Sequence, residues 1–149
     1  MGGMRLAELI PILQVAIGPV ILISGVGLLL LSMTNRLGRV VDRSRLLAAS
    51  LRQAGPDQRT GFSAQLEILS RRARLIRKAI TLATVSVLLA AVLIITLFLG
   101  AVLHLEWGLV VVLLFIAAMG CLIGSLVAFL RDINLALAAM ELEISSPGH

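Results

Sequence analysis

Long apolar runs alternate with polar stretches along the chain. Residues 9–33, 79–103 and 109–130 contain no charged residue. Each run exceeds the ~20 residues that a helix needs to cross a hydrocarbon core of about 30 Å. We therefore predict three transmembrane helices, called spans one, two and three. The hydroxyls of span two are expected to bond to carbonyls of their own helix and to need no other partner; these are Thr81, Thr84, Ser86 and Thr96.

The polar segment between spans one and two keeps the periodicity of an amphipathic helix. Apolar residues recur at helical spacing from Leu37 onwards and again from Phe62 onwards. Between these stretches, Gly55 and Pro56 favour a break, because glycine ends a helix at little cost and proline lacks an N–H. We predict that spans one and two extend into a helical hairpin over residues 35–78.

The remaining connections are short. Residues 104–108 are too few for anything except a tight turn, with Trp107 at the membrane interface. Residues 131–149 form a tail in which Ile133 and Leu137 continue a helical repeat, which predicts a short C-terminal helix. The predicted fold class is all-α, with residues 1–149 forming one membrane domain.

Positive charge is concentrated in the hairpin. Residues 35–78 hold eleven of the thirteen basic residues and three of the eight acidic ones, a net charge of +8, whereas the rest of the chain carries −3. Basic loops are retained in the cytoplasm, so the hairpin and the tail are predicted to be cytoplasmic and the N-terminus external. Nucleic-acid binding is disfavoured, because Phe62 is the single aromatic residue of the hairpin and stacking platforms need more.

Composition and motifs exclude several classes of protein. A hydrophobic content of 59% and a mean hydropathy of +1.06 lie outside the range of soluble domains. The single cysteine, Cys121, permits no intrachain disulfide. The sequence has neither a glycine-rich phosphate loop nor a His-Glu-x-x-His motif, and the spans hold no carboxylate pair. We therefore predict no catalytic residue, no metal site and no cofactor.

Two apolar surfaces predict assembly into a homo-oligomer. Span three carries small residues at helical spacing, which permit close helix approach in lipid. The second helix of the hairpin has an additional apolar seam that a lone hairpin would leave exposed to water. The predicted packing residues are Ala117, Gly120, Gly124 and Ala128 on span three, and Ile68 and Leu75 on the hairpin.

Basic and polar residues near the spans suggest further contacts. We expect anionic lipid headgroups, or a membrane-protein partner, to contact Arg36, Arg39, Arg43, Arg77 and Lys78.

The main interpretation is a structural or interaction protein without catalytic activity. One alternative is an oligomeric channel lined by span one, in which Gln14 and Ser24 would face the pore. A further alternative is an accessory subunit that binds a larger membrane complex through the hairpin.

Three stretches resemble a family of small bacterial membrane proteins classed as a domain of unknown function. They are residues 34–46, which contain Thr-Asn-Arg and Arg-Val-Val-Asp-Arg, residues 71–80 and residues 129–133. The resemblance covers almost the whole chain. It implies three spans and a location in the bacterial inner membrane, and it supplies neither an activity nor binding residues to carry over.

Overall fold

The structure is a computed structural model that describes residues 6–53, 55–104 and 106–144. These residues form three helices, α1 (Leu6–Gln53), α2 (Pro56–Leu103) and α3 (Gly108–Ile144). The described residues are 97% helical and contain no strand. The prediction of an all-α fold is confirmed.

Both helix breaks lie where the sequence predicts them. Gly55 separates α1 from α2, and Pro56 occupies the first helical position of α2, where its missing N–H needs no partner. At the other connection α2 ends before His104, which adopts a left-handed conformation with a φ of 50°. A left-handed residue ends a helix by turning the chain away from the helix axis. The Val111 N–H then donates to the Trp107 carbonyl at 3.1 Å as α3 begins.

All three helices are long and apolar enough to cross a membrane. The chain is therefore a multi-pass membrane protein. Helices α1 and α2 have 48 residues each, which at 1.5 Å per residue is about 72 Å, more than twice the thickness of a hydrocarbon core. They must extend beyond the lipid. Which side of the membrane holds these extensions stays a prediction.

The predicted helical tail is continuous with span three. Helix α3 has 37 residues and runs without interruption from Gly108 to Ile144, so no separate C-terminal helix exists. No glycine or proline interrupts the sequence from Ser125 to Ile144, which explains the continuity. The last five residues of the tail, 145–149, lie outside the described part of the chain.

The helices divide into two compact units. We call Met1–Leu30 with Leu82–Ile123 the apolar unit, and Leu31–Thr81 with Gly124–His149 the basic unit.

In the apolar unit a buried hydroxyl links two helices. The Ser86 Oγ donates to the Ala118 carbonyl at 2.8 Å, so α2 is bonded directly to α3. The expectation that Ser86 bonds within its own helix is wrong, because this residue faces α3. Thr96 does bond within its helix, to the Val92 carbonyl at 2.8 Å. The same expectation is confirmed for Thr81 in the basic unit, since its hydroxyl donates to the Arg77 carbonyl of its own helix.

In the basic unit all three helices contribute to a hydrophobic core. The buried residues of α2 are spaced seven and three apart, so they share one helix face. The core consists of Met33 and Val40 of α1, Leu69, Ile76 and Ala79 of α2, and Ala128 of α3. Ser125 joins α3 to α2 beside this core, since its Oγ donates to the Ala79 carbonyl at 2.7 Å.

Candidate functional site

A fully buried carboxylate lies in the basic unit. Asp132 belongs to α3, and its side chain has no exposed surface. It follows Ser125 and Ala128 at helical spacing, so the pattern that places those two residues against α2 also turns Asp132 inward. A buried carboxylate without partners would cost several kcal/mol, on the order of the desolvation penalty of one ion. Its neighbours must therefore compensate the charge.

Two arginines provide this compensation, one from each of the other helices. The Arg72 Nε of α2 donates a hydrogen bond to Asp132 Oδ1 at 3.3 Å. The Arg36 Nη1 of α1 lies 3.7 Å from Asp132 Oδ2. The side chains of Arg36 and Arg72 are 33% and 20% exposed. We call these three residues the Asp132 clamp, because one carboxylate joins all three helices.

The two carboxylate oxygens are held in different ways. Oδ1 accepts a hydrogen bond, whereas Oδ2 accepts none from the described residues and is held by the charge of Arg36. The guanidinium of Arg36 also lies over the ring of Phe129, with its central carbon 5.3 Å from the ring centroid. A cation over an aromatic face is attracted by the ring quadrupole, at about 0.5–1 kcal/mol where water has access. Phe129 therefore helps to orient Arg36 towards α3.

The clamp is built as a structural connection. It contains one acid and two bases, so it carries a net positive charge, and its carboxylate is closed to solvent. Within the described residues, no three His, Cys, Asp or Glu side chains come close enough to hold a metal ion. The arrangement places one carboxylate between arginines of the other two helices, so electrostatic attraction connects all three helices in the basic unit.

Residues 16–142 match the family described as protein of unknown function, DUF2721. The chain belongs to this family. The matched range includes every residue of the Asp132 clamp and most of all three helices. No curated protein and no solved structure matches the chain.

Within this DUF2721 chain, the three stretches that carry the family resemblance meet at the clamp. Arg36 lies in residues 34–46, and Arg72 lies in residues 71–80. Phe129 and Asp132 both lie in residues 129–133. Segments that are far apart in the sequence thus supply one charged cluster.

The predicted packing residues differ in their exposure. On α3, Ala117 and Gly120 are exposed in the apolar unit, and a Cβ added at Gly120 would meet no atom within 4 Å. Ala128 is buried in the core of the basic unit. On α2, Ile68 is 47% exposed. Gly124 and Leu75 are partly buried. Their assignment to an oligomer interface stays a prediction.

Four of the five predicted lipid or partner contacts lie on the surface. Arg39, Arg43, Arg77 and Lys78 are exposed, whereas Arg36 is engaged by Asp132 within the chain.

The polar residues suggested for a pore, Gln14 and Ser24, are both exposed on α1. The Ser24 Oγ donates to the Val20 carbonyl at 3.3 Å, which satisfies that hydroxyl within its own helix.

Sequence interpretation missed the clamp itself. Asp132 belongs to the predicted tail, and Arg72 is one of eleven basic residues in the hairpin, so periodicity alone pairs neither of them. The sequence signal that could have revealed the clamp is the position of Asp132. Asp132 comes two residues after the predicted end of span three, between Arg131 and Ile133, and it shares a helix face with Ser125 and Ala128. An acid that faces inward requires a basic partner, and the hairpin holds eleven of the thirteen basic residues.

Proposed function

We propose that this membrane protein is a structural and interaction component that forms a homo-oligomer and has no catalytic activity of its own. The observation that carries the proposal is the Asp132 clamp. Among the described side chains, Asp132 is the sole buried ionisable group, and both of its oxygens face arginines. The interior charge therefore stabilises the arrangement of helices in the basic unit.

Self-association is supported by the open surface at Gly120. A transmembrane helix gains little by burying large apolar residues against another helix, since lipid is equally apolar, whereas small residues allow close backbone contact. Gly120 and Ala117 are exposed within one chain. A second copy of the chain that packs on this surface would use the space that the glycine leaves.

Replacement of Gly120 by leucine tests the interface. Because a Cβ at this position meets no atom of the same chain within 4 Å, Gly120→Leu should leave the folded monomer intact and reduce the oligomer mass. The measurement is particle mass in nanodiscs, with helicity as the check of folding. Gly27→Leu on α1 is the matched control, since a Cβ at Gly27 also meets nothing within 4 Å.

The outcomes separate the proposals. A wild-type particle that contains one chain would refute the homo-oligomer. Loss of assembly in Gly27→Leu, with Gly120→Leu unchanged, would place the interface on span one instead. That result would favour the channel lined by Gln14 and Ser24, which ion flux through proteoliposomes tests directly. Stoichiometric co-purification of one defined membrane protein would favour the accessory-subunit alternative.

We further propose that the protein lies in the bacterial inner membrane, with its N-terminus outside and its C-terminus in the cytoplasm. The net charge of +8 over residues 35–78 supports this orientation. A cysteine placed at Gly55, after Cys121→Ala, should resist impermeant thiol reagents in intact cells and react after permeabilisation. Labelling in intact cells would reverse the orientation.

A further inference from the structure

An open cleft in the basic unit is lined by four basic side chains. Arg71, Arg74 and Lys78 come from α2, and Arg131 comes from α3. The cleft has a volume of ≈ 500 Å³, within the range of pockets that hold small ligands. We call it the basic cleft. Among the side chains that the structure describes, no acidic one lines it.

The helix geometry explains why these charges gather. Positions 71, 74 and 78 are separated by three and four residues, so their side chains project from one face of α2. Arg72 is turned by about 100° from Arg71 and faces Asp132 instead. The basic cleft and the Asp132 clamp therefore use different faces of the same helix.

The clamp also keeps the acid that follows Arg131 in the sequence away from the cleft. Asp132 follows Arg131 in the sequence, but its side chain is fully buried and bound by Arg36 and Arg72. It is not available to neutralise Arg131. Four like charges that face one open space repel each other, and a bound anion would relieve this repulsion.

The cleft lies at the predicted membrane surface. Lys78 immediately precedes span two, and Arg131 immediately follows span three. Lipid phosphates occupy this boundary, where basic residues are attracted to anionic headgroups. Arg71 lies seven residues before Lys78, so the charged surface extends about 10 Å along α2 at 1.5 Å per residue.

We propose that the basic cleft is a binding site for the phosphate groups of an anionic phospholipid, and that it prefers a headgroup with two phosphates. The Arg71, Arg74, Lys78 and Arg131 side chains donate to phosphate oxygens, and Asn134 offers an amide at the same cleft. Leu75 and Leu135 supply apolar surface for the glycerol that joins the two phosphates. A soluble polyphosphate shares the phosphate chemistry, but it has no use for the two leucines.

Two charge-matched double variants test the site. Arg74→Gln/Arg131→Gln removes two cations from the cleft. Arg45→Gln/Arg52→Gln removes two exposed arginines of the basic unit that do not line the cleft and that are not among the predicted lipid contacts. The full chain is purified in neutral detergent, and binding of cardiolipin, of phosphatidylglycerol and of pyrophosphate is measured by native mass spectrometry. Helicity and thermal melting show whether each variant folds.

We expect the wild type to bind cardiolipin more tightly than phosphatidylglycerol or pyrophosphate. The cleft variant should lose cardiolipin affinity by about tenfold or more, since each lost hydrogen bond to a charged group contributes about 1.5–3 kcal/mol. The control variant should lose less than about threefold, because screened charges outside the site act weakly. Equal losses in both variants would show a diffuse charge effect and would overturn the proposal. Tight pyrophosphate binding without lipid binding would also overturn it.

The inference is independent of the proposed homo-oligomer. It depends on one α2–α3 cleft within one chain. The same mass spectra report the number of chains and the number of bound lipids separately. A monomer that retains cardiolipin would refute the homo-oligomer and support the lipid site. An oligomer without selective lipid binding would support the homo-oligomer and refute the lipid site.

Discussion

The apolar and basic units bury different kinds of residue. In the apolar unit the buried hydrophobic residues are mostly alanine, while large side chains such as Leu109 and Ile116 are exposed. In the basic unit Met33 and Ile76 are completely buried. The buried hydrophobic residues of the apolar unit are Ala16, Val26, Ala83, Ala90, Leu93 and Ala118.

The surroundings of each unit explain the contrast. In lipid a large apolar side chain is equally well solvated inside or outside the bundle, so small residues that bring backbones together are selected for the interior. The hairpin part of the basic unit lies beyond the predicted spans, where water drives large apolar side chains such as Ile76 into the core.

The buried polar groups follow the same division. The apolar unit joins α2 to α3 through a neutral hydroxyl, Ser86. The basic unit has an equivalent hydroxyl, Ser125, and adds the charged clamp at Asp132. Because Arg36 and Arg72 are partly exposed, they lose less hydration free energy than buried arginines would. Their attraction to Asp132 can therefore offset more of the cost of burying the carboxylate.

The largest effect is expected at the clamp. Asp132→Asn keeps the shape of the side chain and removes the charge that holds Arg36 and Arg72 together. Removal of one partner from a buried ion pair costs about 3–5 kcal/mol, and the exposure of both arginines should reduce this loss to about 2–3 kcal/mol. The measurement is the free energy of unfolding by denaturant titration in mixed micelles.

The matched control is Asp42→Asn, the same substitution at an exposed position of the basic unit. It should change the free energy of unfolding by less than about 0.5 kcal/mol. If Asp132→Asn and Asp42→Asn changed the free energy of unfolding equally, the clamp would not stabilise the basic unit. The two units would then differ only in the size of their buried side chains.

A smaller effect is expected in the hydrophobic core. Ile76→Val removes one methylene from a completely buried side chain and should cost about 0.5–1.5 kcal/mol. Ile68→Val makes the same change on the same helix at a side chain that is 47% exposed. If water drives burial in this unit, Ile76→Val should melt at a lower temperature than Ile68→Val. Equal melting temperatures would indicate that the core is loosely packed.

The smallest effects are expected at the two serine bridges, one in each unit. Ser125→Ala and Ser86→Ala each remove a hydroxyl that donates across helices, while the acceptor carbonyl keeps its own helical bond. We expect a loss of about 0.6 kcal/mol at each position, in line with hydrogen bonds between membrane helices, because both serines and both acceptor carbonyls lie in the predicted spans. Ser63→Ala, which removes a bond within one helix, is the control and should be neutral. A loss at Ser63 as large as at Ser86 would contradict the assignment.

Periodicity predicted the helices because the signals are local. Uncharged runs mark the spans, and Gly55 with Pro56 marks the break between α1 and α2. These features depend on residues that follow one another in the sequence. The continuity of α3 past Arg131 was less evident, because a charged residue at a span end suggests a boundary in hydropathy although it does not interrupt a helix.

The clamp and the basic cleft could not be read from local pattern. Arg72 and Asp132 are separated by 60 residues, and the hairpin offers eleven basic residues as possible partners. Only the rotation of each helix about its axis decides which arginine faces Asp132. A one-residue change of register rotates a side chain by about 100°, so small differences in packing decide the pairing.

The sequence separation within the clamp also imposes an order on biosynthesis. Arg36 and Arg72 leave the ribosome before Asp132, and 60 residues separate the later arginine from the carboxylate. At about 5–20 residues per second, the first two helices wait several seconds for the acid that neutralises them. The third helix therefore completes the basic unit, and a nascent chain that stops before residue 132 retains two uncompensated cations between its helices.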